Sequence, residues 1–153
     1  MHLADKISSI TRKGQTMTRW LTRGLLLFSC MALTGCATQT ALSDGFDRSV
    51  KAYNRMLRWQ EIENAGITYI ETGQLEDYMK QSEILKKRGL TVTDFRIISA
   101  RYIKEKTSGD VIAEFDYFIL PSNRVKTVTY RQNWVYLEND KSWKVKSGLP
   151  LFE

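Results

Sequence analysis

Hydrophobic side chains change their spacing along this chain, and the change predicts helices first and strands afterwards. In the helical part, apolar residues recur three or four positions apart, at Phe46, Val50, Tyr53 and Leu57. This spacing places them along one face of a helix. Ser43 or Asp44 is a suitable cap for its first turn. A second helix is predicted from Gln74 to Lys87, and Gly89 ends it.

From Leu90 onward the apolar positions alternate, and Val, Ile, Thr, Phe and Tyr are frequent, as in strands with one buried face. Turn-forming residues at 107–110, 121–123 and 139–141 separate four such runs. Four consecutive strands form an antiparallel meander whose apolar face needs a cover, which the helices supply. The predicted fold class is therefore α+β, with N-terminal helices packed on a curved, four-stranded antiparallel sheet.

A different pattern precedes the helices. Arg19 and Arg23 are followed by an apolar run from Leu25 to Leu33. The run is shorter than the about 20 apolar residues that span a bilayer as a helix. A cationic flank, a short apolar run and small residues after it are the three parts of a removable secretory signal. The alternative interpretation is a buried cysteine in an ordinary apolar segment.

The sequence Leu33-Thr34-Gly35-Cys36 closes this run and resembles the cleavage site of bacterial lipoprotein signal peptides. The resemblance implies that the Cys36 thiol receives a diacylglyceryl group, that the Gly35–Cys36 bond is cut, and that the new amino terminus is acylated, as with palmitate. Ala37, where an aspartate would favour inner-membrane retention, implies an outer-membrane protein facing the periplasm. The predicted organisation is a leader and signal peptide over residues 1–35, a lipidated tether over 36–43 and one domain over 44–153.

The signal peptide carries most of the excess charge. The full chain holds 23 Lys and Arg residues against 17 Asp and Glu residues, a net charge of +6. Residues 1–35 hold five of those basic residues and one acidic residue, which leaves 18 against 16 and a net charge of +2 for residues 36–153. A nearly balanced domain gives no support for a nucleic-acid partner.

Removal of residues 1–35 also takes away His2, the one histidine, and Cys30, one of the two cysteines. With Cys36 lipidated, no histidine or free thiol is left for a zinc site, a Ser-His-Asp triad or a disulfide. The sequence has no glycine-rich phosphate loop and no calcium-loop spacing. We therefore expect no metal and no cofactor.

The strand region carries a second resemblance. The motifs concerned are Leu120-Pro121-Ser122-Asn123-Arg124-Val125, Gln132-x-Trp134-Val135-Tyr136 and Ser142-Trp143-Lys144-Val145. With helices before a long meander, they resemble a group of bacterial lipoproteins of the nuclear-transport-factor-2-like fold. This cone-shaped α+β fold also occurs in ketosteroid isomerases, polyketide-cyclase-like proteins and many binding modules. The resemblance therefore implies a fold and not one function.

In that fold the helices and the concave sheet enclose a cavity. The candidate ligand-pocket residues here are Tyr117, Tyr130, Gln132 and Trp134. Gln132 is polar on an otherwise apolar face, so its amide needs a ligand, water or a protein group as a partner. The functional interpretation is a ligand-orienting amide beside stacking aromatic rings. The alternatives are an amide satisfied within the protein and aromatic rings that form the core.

The sequence thus predicts a membrane-anchored protein of the cell envelope with a noncatalytic domain that binds a periplasmic protein or a small apolar ligand. A partner, either an envelope protein or a second copy, is expected to contact Phe118, Leu120 and the threonine-rich face of the third strand. The alternative is a proton-transfer enzyme of the ketosteroid-isomerase or polyketide-cyclase type, with Asp94 and Asp116 as its carboxylates. Either aspartate can instead pair with an arginine across the sheet.

Overall fold

The computed structural model of the protein describes residues 34–153, and it describes side chains from residue 40 onward. The chain divides into two units, residues 1–41 and residues 42–153. The cationic flank and the apolar run of the predicted signal peptide lie outside the described part of the chain. The side chain of Cys36 also lies outside it, and of Gly35 and Cys36 only the backbone is described. In the first unit the described residues, from Thr34, are helical.

Within residues 34–153, three helices precede four strands, so the predicted order of helices and strands is confirmed. The helices are α1 (Thr34–Arg58), α2 (Ile62–Tyr69) and α3 (Thr72–Lys87). The strands are β1 (Leu90–Ile103), β2 (Ser108–Ile119), β3 (Lys126–Leu137) and β4 (Ser142–Val145). A short 3₁₀ turn, Lys104–Lys106, connects the first two strands.

Helix α1 begins earlier than predicted. The expected face is buried, with Phe46, Val50, Tyr53 and Leu57 at most 1% exposed. Ser43 and Asp44 do not cap the helix, because no glycine or proline interrupts residues 36–44 and the helix passes through them from Thr34. The residues of the predicted tether, 36–43, are therefore helical.

Helix α2 is separated from α1 by a tight turn. Gln60 adopts a left-handed backbone with a φ of 63°, and the N–H of Glu61 donates to the carbonyl of Met56 at 2.9 Å. A Cβ atom on Gly66 of α2 would lie 2.6 Å from the Tyr78 ring of α3. Because glycine has no side chain, α2 and α3 can approach each other closely at Gly66.

The four strands form one antiparallel sheet in the order β1-β2-β3-β4. In the register, Ala113 of β2 lies between Ile97 of β1 and Tyr130 of β3. Bulges at Thr93 and Ile98 interrupt the pairing of β1 with β2. The outer side of β4 is occupied, because Ile70 bridges Val145 and the next residue, Glu71, donates its N–H to the Val145 carbonyl at 3.0 Å.

The connection between β1 and β2 differs from the predicted turn at residues 107–110. Thr107 alone is left-handed, with a φ of 46°, and Ser108 already belongs to β2. Gly109 lies opposite Trp134 of β3, and a Cβ atom on it would come within 2.4 Å of the Phe46 ring. Gly109 is therefore needed for a close approach of α1 to the sheet and not for the turn.

The core lies between the helices and one face of the sheet, with Trp134 near its centre. The Trp134 ring is 5.7 Å from the Tyr53 ring, 6.1 Å from Phe46 and 6.0 Å from Tyr69. The segment after β4 adds the side chains of Leu149 and Phe152, which are 6% and 4% exposed. The described part of the chain is thus α+β, with three helices on an open four-stranded antiparallel sheet.

We predict that Gly109→Ala destabilises the protein by about 1–3 kcal/mol, because the added methyl group overpacks the Phe46 contact. Gly73→Ala is the matched control, since nothing lies within 4 Å of a Cβ atom at that helical position. It should leave the stability unchanged or slightly raised. Denaturant unfolding of the two variants measures the difference, and equal stabilities would contradict the close contact.

Candidate functional site

The amide of Gln132, the first candidate ligand group, is satisfied within the protein. Its Nε2 donates to Oδ1 of Asn54 at 2.6 Å, and Nδ2 of Asn54 points back to Oε1 of Gln132 at 3.4 Å. The indole Nε1 of Trp134 also donates to Oε1 of Gln132, at 3.0 Å. Asn54 and Gln132 are fully buried. This reciprocal amide pair therefore joins α1 to β3 inside the core.

The other three candidate pocket residues are also in the core. Tyr117, Tyr130 and Trp134 are 3%, 6% and 2% exposed. The Tyr130 hydroxyl donates to the carbonyl of Gly148. The Tyr117 hydroxyl donates to the main-chain oxygen of Glu153 at 2.9 Å and accepts its N–H at 3.0 Å. Both tyrosines thus use their polar atoms to fix the segment that follows β4, which favours core packing over ligand stacking.

Three buried tyrosines meet where α1, α3 and β3 come together. Desolvation raises the pKa of Tyr53, Tyr78 and Tyr130 above the ordinary value of a phenol. The hydroxyls of Tyr53 and Tyr130 are 3.5 Å apart, whereas the Tyr78 hydroxyl has no hydrogen-bond partner among the described residues. The raised pKa values follow from burial in an apolar core, so they do not by themselves indicate a proton-transfer site.

The aspartates of the predicted enzyme alternative lie on the other face of the sheet. Asp94 and Asp116 are directly opposite each other in β1 and β2, on the side away from the core residues Phe115 and Tyr117. Asp94 is exposed and accepts the N–H of Phe95 at 2.9 Å.

Asp116 belongs to a polar cluster on this outer face. It accepts the Thr127 hydroxyl at 2.6 Å and an Arg96 guanidinium N–H at 2.9 Å, and these hydrogen bonds lower its pKa. The same guanidinium contacts Glu114 at 3.1 Å. Asp116 is thus engaged as an ion-pair partner, as the sequence allowed, on a face that the helices do not cover.

The predicted partner-binding residues do not form one surface. Phe118 is half-buried on the outer face of β2, and Thr127 and Thr129 are exposed on the same face of β3. Leu120 lies beyond the end of β2, where it packs against Gly89 and remains 55% exposed. The structure therefore assigns Phe118 and the threonines to the sheet face and Leu120 to the β2–β3 turn.

Two surface cavities, each of about 250 Å³, lie away from the candidate pocket residues. The first, the helix cleft, is lined by Gln60, Glu61, Ile62, Glu63, Asn64, Ser82, Lys86 and Leu90. The second, the tail groove, is lined by Gln81, Ile84, Leu85, Arg88, Pro150, Leu151, Phe152 and Glu153. Ile84 and Leu151 are 56% and 77% exposed, so the tail groove is an apolar surface open to solvent.

Sequence reasoning missed Asn54 and the segment after β4. Asn54 follows Tyr53 on the buried face of α1, and a polar residue in that position was the one available signal. Its partner is 78 residues away, so no local pattern connects them. The segment after β4 has a visible signal in Leu149 and Phe152. The hydrogen-bond partners of the segment are Tyr117 on β2, Tyr130 on β3 and Arg88 just after α3, all distant in sequence.

Within residues 34–153, no cluster of three or more His, Cys, Asp or Glu side chains is arranged to hold a metal ion. No helix in this described part is long and apolar enough to cross a membrane.

Comparison with known proteins identifies no family. No family model and no curated protein matches the chain. Among solved structures, the intermembrane space region of the chloroplast protein ARC6 is similar at 17% sequence identity and a TM-score of 0.44. The match covers 69% of this chain and 97% of that chain.

We predict that Gln132→Leu lowers the free energy of unfolding by about 1–3 kcal/mol, because it leaves Oδ1 of Asn54 and the Trp134 indole N–H without their buried partner. Nδ2 of Asn54 keeps its hydrogen bond to the Val50 carbonyl at 2.7 Å. The double variant Asn54→Leu/Gln132→Leu should lose less than the sum of the two single changes, since neither amide is then left alone. Gln81→Leu, at an exposed position, is the control. Additive losses in denaturant unfolding would show that the two amides do not interact.

Proposed function

We propose that this is a lipid-anchored protein of the cell envelope whose α+β domain binds a periplasmic protein without catalysing a reaction. The support for the anchor is the sequence around Cys36, with its cationic flank, short apolar run and small residues. Cys36 would carry the acyl chains, and Gly35 would precede the cut. The outer membrane, with the domain facing the periplasm, is the proposed location.

The proposed fold family is the nuclear-transport-factor-2-like one. Helices that precede a long antiparallel meander, and a sheet with one face covered by those helices, support this assignment. The strand motifs from Leu120 to Val145 support it from the sequence side.

One observation favours a protein partner over a small ligand, namely that the interior beside Gln132 is filled by the domain's own side chains. Asn54 and Trp134 form hydrogen bonds with the amide of Gln132. The rings of Phe46 and Tyr53 pack on the indole of Trp134. A ligand at this position would have to displace a buried amide pair. A binding surface outside the core requires no such displacement.

The outer face of the sheet is the proposed partner surface. Phe118 and Ile112 are half-buried there, on either side of Glu114 and Asp116 along β2, and the exposed Thr127 and Thr129 lie opposite those two acids on β3. Half-exposed apolar side chains surrounded by polar groups are typical of protein interfaces. The partner is an envelope protein or a second copy of this chain.

Lipidation is tested by growing cells that express the full-length protein with a palmitate analogue. We expect label on the protein, and we expect Cys36→Ser to remove it and to leave the uncleaved precursor. Cys30→Ser is the matched control, because Cys30 lies in the apolar run and should not affect labelling. Label that survives Cys36→Ser would refute the anchor.

The partner surface is tested by placing a photoreactive amino acid at Phe118 or Thr129, with Lys51 on the exposed side of α1 as the control position. We expect cross-linked species of one defined mass from the two sheet positions in intact cells. Lys51 should give none. Monomer alone from all three positions would count against a protein partner on this face.

A further inference from the structure

One end of the domain presents large apolar side chains to solvent. Trp59, Leu120, Val125 and Leu151 are 66%, 55%, 55% and 77% exposed. They come from the residues after α1, the β2–β3 turn and the segment after β4. We call these four residues the apolar end. Soluble proteins expose single apolar side chains routinely, but a group from three segments at one end indicates a contact surface.

Hydrogen bonds hold these segments together at one end of the sheet. The N–H of Leu120 points to the carbonyl of Gly89, at 3.5 Å, just after α3. Arg88, at the same helix end, donates to the carbonyl of Phe152 at 3.2 Å. Lys126, directly after Val125, donates to the main-chain oxygen of Glu153 at 2.8 Å.

The contacts of the neighbouring residue, Arg58, place Trp59 at the same end. The Arg58 guanidinium lies 5.3 Å from the centre of the Trp59 ring and donates to the carbonyl of Val92 at 3.0 Å. Val92 pairs with Tyr117, two residues before the end of β2. The α1 segment from Leu42 to Arg58 rises about 24 Å at about 1.5 Å per residue, so the apolar end is remote from Leu42.

The apolar end is flanked by cations that have no carboxylate partner. Arg58, Arg88, Arg124 and Lys126 form no salt bridge to an acidic side chain within residues 34–153. Lys86 and Lys87 are nearby, but Glu63 and Glu83 pair with them, at 3.1 and 2.7 Å. Glu61, Asp94 and Glu153 are the acidic side chains near this end that form no salt bridge, so the four cations outnumber them.

We propose that the apolar end docks on a membrane surface that contains anionic phospholipid. Tryptophan and aliphatic side chains enter the boundary between headgroups and acyl chains, while Lys and Arg contact the phosphates. The side chains project separately from a turn and two segment ends, which suits a deformable headgroup layer better than a complementary protein surface. This contact goes beyond the Cys36 anchor and does not require it.

The test uses the fluorescence of Trp59 in the full-length protein held in phosphatidylcholine vesicles. Separate vesicles that contain phosphatidylglycerol and brominated phosphatidylcholine are then added. We expect a blue shift and quenching by the bromine atoms. Brominated vesicles without phosphatidylglycerol should give neither effect. Trp134 and Trp143 are buried, and Trp59→Phe assigns the signal. Placing both lipids in the protein's own vesicles distinguishes docking on the anchoring membrane from docking on a second one.

Variants at the β2–β3 turn separate charge from insertion. Arg124→Gln should weaken docking about fivefold, which corresponds to about 1 kcal/mol for one cation at an anionic surface. Val125→Ser should weaken it about tenfold, since its side chain no longer enters the apolar layer. The matched controls are Arg131→Gln and Ile98→Ser, at exposed positions in β3 and β1, and Ile98 is 56% exposed. Both controls should dock normally.

Three outcomes would overturn the proposal. The first is an unchanged Trp59 spectrum with anionic vesicles in both arrangements. The second is equal weakening of docking by the control variants. The third is a blue shift with polyglutamate but no lipid quenching, which would identify the apolar end as a surface for an acidic protein. Because Cys36 labelling is measured separately, failure of this docking leaves the anchor testable, and failure of the anchor leaves the docking testable.

Discussion

The position of α1 on the sheet depends on the buried amide pair of Asn54 and Gln132. An amide in an apolar core is costly unless it is hydrogen-bonded, and only one rotation and one translation of α1 bring these two together. The Phe46 ring then lies over Gly109, where any side chain would collide with it. Polar matching and steric fit therefore specify the same arrangement, and the interior that results is filled by the domain itself.

Because the interior is filled, the features of the surface distinguish one part of the domain from another. The two faces of the sheet differ in kind: one is covered by helices, and the other carries the network of Arg96, Glu114, Asp116 and Thr127. The ends of the domain differ as well, because the exposed apolar residues after α1 and in the β2–β3 turn lie together with cations that form no salt bridge. The domain thus combines a closed core with a polar sheet face and one amphiphilic end.

Much of the fold was predictable because it depends on local periodicity. The buried face of α1, the four strands and their alternation all follow from spacing, and Phe46 and Tyr117 are buried as expected. Three features were not predictable. Helix α1 starts at Thr34 because nothing in residues 36–44 stops it. Gly109 looked like a turn residue, but it serves a helix contact. The sequence left Gln132 open between a ligand and a protein group as its partner, and that partner, Asn54, is far away in sequence.

The bulges in β1 have a consequence for how the protein behaves at high concentration. A long strand at the edge of a sheet can pair with the same strand of another molecule and start aggregation. Bulges at Thr93 and Ile98 break the regular row of backbone groups, and Arg58 already binds the Val92 carbonyl. At the opposite edge, Ile70 and Glu71 cover the Val145 end of β4. The β1 edge is thereby a poor template for a second chain, which protects this edge from fibrous self-assembly.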